Sequence, residues 1–345
     1  MSRSRRWSLL YVAASVLWAG CNSGGVNVPS PSNSPAPPVA LGRGTVAVTE
    51  RTPTATRVLI FPPHSDKFTQ EFSIGGSRLV ANSLAFDRRG HLYVGINDPS
   101  AGGKYEVLEL NIQSRKIVRE ITGLPSWSHS SVATDGENFL YVNTKALVGG
   151  DVKLYRPGDT KPWLEIKDSL SPLTVLVARD SLWVGYEGAF ADALARYRLR
   201  SRDRTWFTHT SNYLPLKLAV NPEGSLVAAK FRRNSKLTVA VTDVKSGKRE
   251  QILEGSSEAM TSDDSGHLYI AELHGKIRTC TFHGCSHSFE TNFTNLALAV
   301  SPLDGMLYVA CSGKSSIQVY DPRTGSQVMY IPIPGGFPSH LAIEP

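Results

Sequence analysis

The sequence predicts an all-β fold, a seven-bladed β-propeller of four-stranded blades, and three observations predict it. The tripeptide Leu92-Tyr93-Val94 returns as Leu140-Tyr141-Val142, Leu182-Trp183-Val184, Leu268-Tyr269-Ile270 and Leu307-Tyr308-Val309, with a degenerate copy at Leu226-Val227-Ala228. An apolar strand precedes each copy, and in most it ends in a turn opened by Asp, Asn or Pro and closed by Gly, as in Asp87-Arg88-Arg89-Gly90 or Asn221-Pro222-Glu223-Gly224. No stretch of the mature chain keeps the 3.6-residue apolar period of a helix. Short strands repeating about every 43 residues make propeller blades, whereas leucine-rich and ankyrin repeats are shorter and carry helices.

Taken in chain order, Thr45 to Thr49, Arg57 to Phe61 and Phe68 to Ile74 read as the second, third and fourth strands of a blade that lacks its first. Each whole repeat opens with an inner strand A, at Leu84, Val132, Val175, Leu218, Met260 and Leu298 in turn. Strand B carries the Leu-Tyr-Val motif. Side chains alternate across a strand, so Leu and Val face one way and Tyr the other. Both faces are apolar, and a strand sandwiched between neighbouring blades buries both. Each such side chain contributes roughly 1.5–3 kcal/mol on burial, and each Tyr hydroxyl then needs a partner. Strands C and D follow, as at Val107 to Leu110 and Ile117 to Ile121, Leu237 to Thr242 and Ile252-Leu253, and Ile317 to Asp321 and Val328 to Ile333. The chain closes on Pro338 to Ile343, a strand A with no strand B after it. The two terminal fragments complete one blade, so six whole repeats and this composite give seven, and the 301 residues from Thr45 to Pro345 divide into lengths of 43. Joining the termini removes the free edges of an open sheet. If Thr45 to Thr49 is not a strand, the count is six.

Ahead of the repeats, Arg3, Arg5 and Arg6 precede an apolar run from Trp7 to Leu17. That is the pattern of a secretory signal, and the run is too short to span a bilayer. Leu17-Trp18-Ala19-Gly20-Cys21 resembles a bacterial lipobox, which implies cleavage before Cys21 and lipid on its sulfur and amine. Ser4-Arg5-Arg6-Trp7-Ser8-Leu9-Leu10 resembles a twin-arginine motif, so two export routes stay open. Residues 21–44 are rich in Pro, Ser, Gly and Asn, a composition that buries no core and acts as a solvated tether. The division expected is therefore a signal peptide over 1–20, a lipidated tether over 21–44 and a propeller over 45–345. Asn22 after the lipidated Cys resembles the outer-membrane sorting signal of Gram-negative lipoproteins. The expected address is the cell envelope, with the protein a monomer held at the membrane by its lipid.

The formal charge of +7 includes three Arg of the cleaved segment. The mature chain has 34 basic and 30 acidic residues, or +4, ordinary for this size and no argument for nucleic acid. Cys280 and Cys285 flank a C–D turn, where an oxidising compartment favours a cross-strand disulfide. A metal site from Cys280, His283, Cys285 and His287 is the alternative reading. Cys311 falls in an inner strand as a buried thiol. His91 and His267 share one repeat position after the turn Gly and read as repeat consensus at a rim.

Functional residues of a propeller are expected on the D–A and B–C loops around the central channel, since loops on a rigid scaffold carry function. Here those loops bring Trp127, Tyr213 and Phe337 together with Lys145, Lys230, Arg232 and Lys314, next to Glu187, Glu272 and His274. Aromatics interleaved with cations suit an anionic or glycan-like ligand, or a protein. No Gly-x-Ser-x-Gly elbow, His-Glu-x-x-His or phosphate-cradling loop occurs, and no motif calls for a metal or another cofactor.

With the repeats laid out, the chain resembles the YVTN/NHL-type bacterial β-propellers. Leu307-Tyr308-Val309-Ala310, Asp321-Pro322-Arg323-Thr324-Gly325 and Pro334 to Ala342 carry the likeness, together with Tyr141-Val142-Asn143-Thr144. The resemblance implies the fold and a binding scaffold. Propeller lactonases that hold a divalent cation, and streptogramin lyases that pair a His with acidic metal ligands, imply a second reading. In it, Glu272 and His274 at the channel mouth serve a metal-assisted lyase or lactonase, with Glu187 as the further carboxylate that such a site would recruit.

Overall fold

A computed structural model describes residues 42–345, apart from 100–103, 126–130, 146–148, 189–191, 211–213, 234–235, 254–256, 292–293 and 312–314. The predicted signal peptide, Cys21 and nearly all of the tether lie outside the described residues, as do Trp127, Tyr213 and Lys314.

Among the described residues, 28 strands form seven four-stranded antiparallel sheets. Blade one combines the two ends of the chain in the order β28 (Phe337–Ile343), β1 (Val46–Arg51), β2 (Ala55–Phe61) and β3 (Gln70–Gly76). Blade two is β4 (Val80–Phe86), β5 (His91–Asp98), β6 (Lys104–Asn111) and β7 (Lys116–Pro125), and blade three is β8 (Val132–Thr134), β9 (Leu140–Lys145), β10 (Gly150–Tyr155) and β11 (Leu164–Asp168). Blade four is β12 (Ser171–Ala178), β13 (Ser181–Glu187), β14 (Ala193–Arg198) and β15 (Arg204–His209), and blade five is β16 (Leu214–Val220), β17 (Leu226–Arg233), β18 (Lys236–Asp243) and β19 (Arg249–Leu253). Blade six is β20 (Ser257–Ser262), β21 (His267–Glu272), β22 (Lys276–Thr281) and β23 (Gly284–Glu290), and blade seven is β24 (Asn295–Val300), β25 (Leu307–Cys311), β26 (Ser316–Asp321) and β27 (Ser326–Pro332). Each strand A touches the strand A of the next blade, and β28 touches β4, which closes the circle.

The first strand of the chain decides between six blades and seven. β1 pairs with β28 on one side, Val46 opposite Ile343 and Val48 opposite Leu341, and with β2 on the other. Gly44 N–H donates to the Glu344 carbonyl at 2.9 Å, and Thr45 is fully buried. The ring thus takes hold of the chain at the last residue assigned to the tether.

The repeat motif packs as its alternation requires. Leu92 and Val94 lie in the core shared with blade one, and Tyr93 lies in the core shared with blade three. Leu140 and Val142 face back to blade two, while Tyr141 faces blade four. Seven such cores sit between the blades.

Blade five departs from the sequence reading. There Val227 faces back to Trp183 of blade four, and Leu226 and Ala228 face forward to Leu268 of blade six. The structural copy of the motif is Val227-Ala228-Ala229, one residue later than the sequence suggested. The hairpin shows why: Asn221 closes on Leu226, whereas Asp87 closes on His91, so the turn of blade five holds one residue more. A one-residue shift exchanges the two faces of a strand, and a run as uniformly apolar as Leu226 to Ala229 accepts either.

Cys280 and Cys285 are disulfide-bonded across the β22–β23 hairpin. The bond uses the two thiolates that a metal site would need, and His287 Nε2 is engaged with the Pro322 carbonyl at 2.9 Å. Cys311 takes no part in the disulfide and is buried, and burial pushes its thiol up to about 12.

Candidate functional site

Two places in the ring gather groups that could do chemistry, the B–C end and the central channel. At the B–C end, charged residues are spent on one another. Lys145, the last residue of β9, pairs with Glu187, the last residue of β13 in the next blade. Glu272 ends β21 and meets Arg278 at 2.6 Å. His274 stands exposed on the short turn Leu273–Gly275, with φ of 70°. Among the described residues Glu187, Glu272 and His274 do not gather into a metal-sized cluster. Lys230 and Arg232 are not on a loop either: β17 extends to Arg233, so both are strand residues, and Lys230 is buried. The loop assignment failed because β17 and β18 pair as far as Arg233 and Lys236, beyond the point where the apolar pattern stops.

Sequence reasoning passed over one ionic cluster. Asp87, His91 and Glu109 offer ligand atoms within 4.8 Å of one another. Two guanidinium groups already fill the role that a cation would take there. Arg89 meets Asp87 at 2.7 Å, and Arg119 meets Glu109 at 2.6 Å. His91 Nδ1 lies 2.5 Å from Glu109, and Tyr93 donates to Asp87 at 3.4 Å. The cluster locks the A–B turn of blade two to strand C. His267 plays the simpler version of this part, 2.9 Å from Asp263.

The channel is built by the seven inner strands. A cavity of about 760 Å³ is lined by residues of β4, β8, β12, β16, β20, β24 and β28. A second, of about 570 Å³, lies toward the A–B turns and is lined by Arg88, Asp135, Arg179, Asn221 and Asp263 among others. Strand A is an edge strand in every blade, and its free backbone groups would face the channel. Several are covered locally. Val175 N–H donates to Ser131 Oγ at 2.9 Å, Thr134 Oγ1 donates to the Phe86 carbonyl at 2.5 Å, and His340 N–H donates to Thr49 Oγ1 at 3.0 Å. Pro172, Pro215 and Pro338 near the starts of three inner strands bring no N–H at all, which is where a strand tolerates proline.

Six inner strands carry a β-bulge at one equivalent place, where the extra residues are Asn82, Leu173, Leu216, Glu258, Leu296 and Ser339. Bulges re-aim the side chains beside them. The residue after each bulge is Ser83, Thr174, Lys217, Ala259, Ala297 or His340, and Ser131 holds the same place in blade three, opposite Asn143. All seven line the channel. One position per blade thus makes a girdle of three hydroxyls, two methyls, an amine and an imidazole. Lys230 is the cross-strand partner of Lys217, which places one residue singled out from the sequence directly behind the girdle.

Lys217 keeps a large contact with the water of the channel, yet so much protein encircles it that burial pushes its ammonium below the ordinary lysine range. His340 is held down to about 3, by burial first and by the Lys217 charge second, so its imidazole is neutral at physiological pH. Its Nδ1 lies 3.3 Å from Ser339 Oγ. A lysine in an apolar strand gives a local signal in the sequence. What the sequence hides is that residues 123 positions apart, Lys217 and His340, line one cavity and feel one another's charge.

No protein-family model matches the chain, and no curated protein matches it in sequence. Solved structures do share its architecture. Hydrazine synthase of Kuenenia stuttgartiensis aligns at a TM-score of 0.63 and 14% identity, over 85% of this chain and 97% of that one. The β-propeller domain of Cps50 (Swd1) from Myceliophteria thermophila aligns at 0.60 and 12% identity, over 76% and 92%. Apo AztD from Citrobacter koseri aligns at 0.57 and 11% identity, over 88% and 99%. At such identities the likeness concerns the fold alone, and on that fold unrelated functions reside. In architecture, the chain is a seven-bladed β-propeller closed by its own two ends.

Proposed function

We propose that the chain is an exported lipoprotein, held at the cell envelope through Cys21, whose propeller serves as a binding scaffold for a protein or for an anionic or glycan-like molecule. One observation carries this reading. All seven blades contribute to a channel of ligand-site size, about 760 Å³, while the charged groups at its B–C mouth neutralise each other in the pairs Lys145–Glu187 and Glu272–Arg278. Cavities of roughly 300–1,000 Å³ are the usual size of small-molecule sites. A hydrolytic or lyase centre needs free acid, base or metal-ligand groups converging on one point, and Glu272 and His274 do not supply that convergence.

The anchor and the binding role are tested together. Cys21→Ser is expected to release the protein from membranes in soluble form. The wild-type chain, used as bait in detergent-solubilised envelope extract, is expected to retain a specific partner. A Cys21→Ser protein that stays membrane-bound would overturn the anchor. A bait that retains nothing beyond what a denatured control retains would overturn the protein-binding role.

A further inference from the structure

The girdle holds one cation that nothing else in the structure accounts for. The Lys217 ammonium has no hydrogen bond and no ion pair with any described residue, and no Asp or Glu side chain lines this cavity among the described residues, while Asp135 and Asp263 line the second one toward the A–B turns. Pro345, which also reaches the wall, makes no ion pair with it. Lys217 is exposed on the channel wall and unpaired, so its ammonium is available to an anion that enters there. Close by stands a neutral imidazole whose Nε2 has no partner among the described residues. Ser83, Ser131 and Thr174 put hydroxyls on the same ring. Leu84 and Leu216, each partly exposed, supply apolar surface on the same wall.

We propose that the girdle binds a small organic monocarboxylate, its carboxylate paired with Lys217 Nζ and accepting a hydrogen bond from His340 Nε2–H, its apolar body against Leu84 and Leu216. This deepens the scaffold reading and rests on it. The charge count favours a monoanion. Phosphate sites commonly present a fork of Arg donors, and no arginine lines this cavity among the described residues. A mixed wall of leucine and hydroxyl side chains suits a molecule with one charged end and an apolar remainder better than it suits an inorganic ion. The ligand supplies to Lys217 the counter-charge that no side chain of this cavity's described lining provides.

The probes are hexanoate and benzoate, their uncharged amides, and inorganic phosphate, each titrated calorimetrically into the purified Cys21→Ser protein at millimolar concentration. Both carboxylates are expected to bind, and each amide to bind about tenfold more weakly or worse, since it lacks the charge that pairs with the ammonium. Lys217→Met keeps the length of the side chain and is expected to weaken carboxylate binding by about tenfold or more without lowering the unfolding midpoint. Lys116→Met, on the exposed outer strand β7, is expected to leave it unchanged. Acids and amides that bind alike, a Lys217→Met protein that binds as the wild type does, phosphate that binds more tightly than benzoate, or no binding of either acid would each overturn the proposal. Should Lys217→Met fail to fold, a crystal soaked with 4-bromobenzoate decides instead: the bromine signal is expected within the channel, and a signal only outside it overturns the assignment. The envelope-extract experiment separates the two readings. A wild-type bait that holds a partner while no carboxylate binds removes this inference and leaves the scaffold.

Discussion

The smallest unit that organises this ring is an aspartate set six positions before a tyrosine. Asp135 accepts hydrogen bonds from the N–H groups of Glu137 and Phe139 at 2.9 and 3.0 Å and from the Tyr141 hydroxyl at 3.0 Å. Asp87 and Tyr93, and Asp263 and Tyr269, repeat the arrangement. Asn221 does the backbone half of it for Ser225 and Leu226 in blade five, where no tyrosine follows. Burial, then the Asp135 charge, pushes the Tyr141 hydroxyl upward, so it stays a donor. Turn and tyrosine were both legible in the sequence, but the bond between them was not, because it crosses from the turn to strand B. Asp135 is buried, and hydrogen bonds to a charged acceptor contribute more than neutral ones. Asp135→Ala is therefore expected to cost about 3 kcal/mol in urea-induced unfolding. Asp264→Ala, on the exposed part of a sister turn, should stay within about 0.5 kcal/mol of wild type. Equal costs for the two would sink the turn-lock argument.

Elements were legible where pattern and turn agreed, and illegible where only one of them spoke. The Leu-Tyr-Val strands of blades two, three, four, six and seven each show a contrast between their faces, and the structure places them as that contrast requires. Leu226 to Ala229 has no such contrast, so its register was fixed by a turn whose length the sequence does not display. Lys230 and Arg232 were misplaced for a related reason: charge suggested a loop, while backbone pairing continued. The hairpin of β22 and β23 is the opposite case, since the flanking cysteines marked both the turn and the bond across it. That bond closes a short loop, and a loop-closure argument gives about 2 kcal/mol for its removal. Cys280→Ala/Cys285→Ala in the Cys21→Ser background is expected to lose about that much in urea unfolding and to keep the strand signature of its circular dichroism. In the parent Cys21→Ser protein a thiol reagent should find no reactive group until the chain unfolds, and then find Cys311 alone. Thiol reactivity in the native protein would show that the hairpin is not bridged or that Cys311 is not enclosed.

For the whole molecule, closure is what the terminal fragments provide, and a mean period of 43 residues could not by itself distinguish seven blades from six. The deciding contact spans the entire sequence: β28 supplies the inner strand against β1, and through it Leu341 and Ile343 pack on the core shared with blade seven while Ala342 packs on the core shared with blade two. Removing β28 would strip both cores, turn β1 into an open edge and take His340 out of the girdle. An open edge next to apolar surface invites pairing between copies. A chain ending at Gly336 is accordingly expected to lose its cooperative unfolding transition and to associate in solution, as read by thermal circular dichroism and light scattering. The loss should come from opening the ring and not from shortening the chain. Gly44 and Glu344 are hydrogen-bonded neighbours, so a brief linker can join residue 345 to residue 43. New ends cut at the exposed C–D turn around Lys245 would then leave every inner strand in place. That permuted chain should unfold cooperatively near the wild-type midpoint. If the truncated chain does so as well, the ring does not depend on its composite blade.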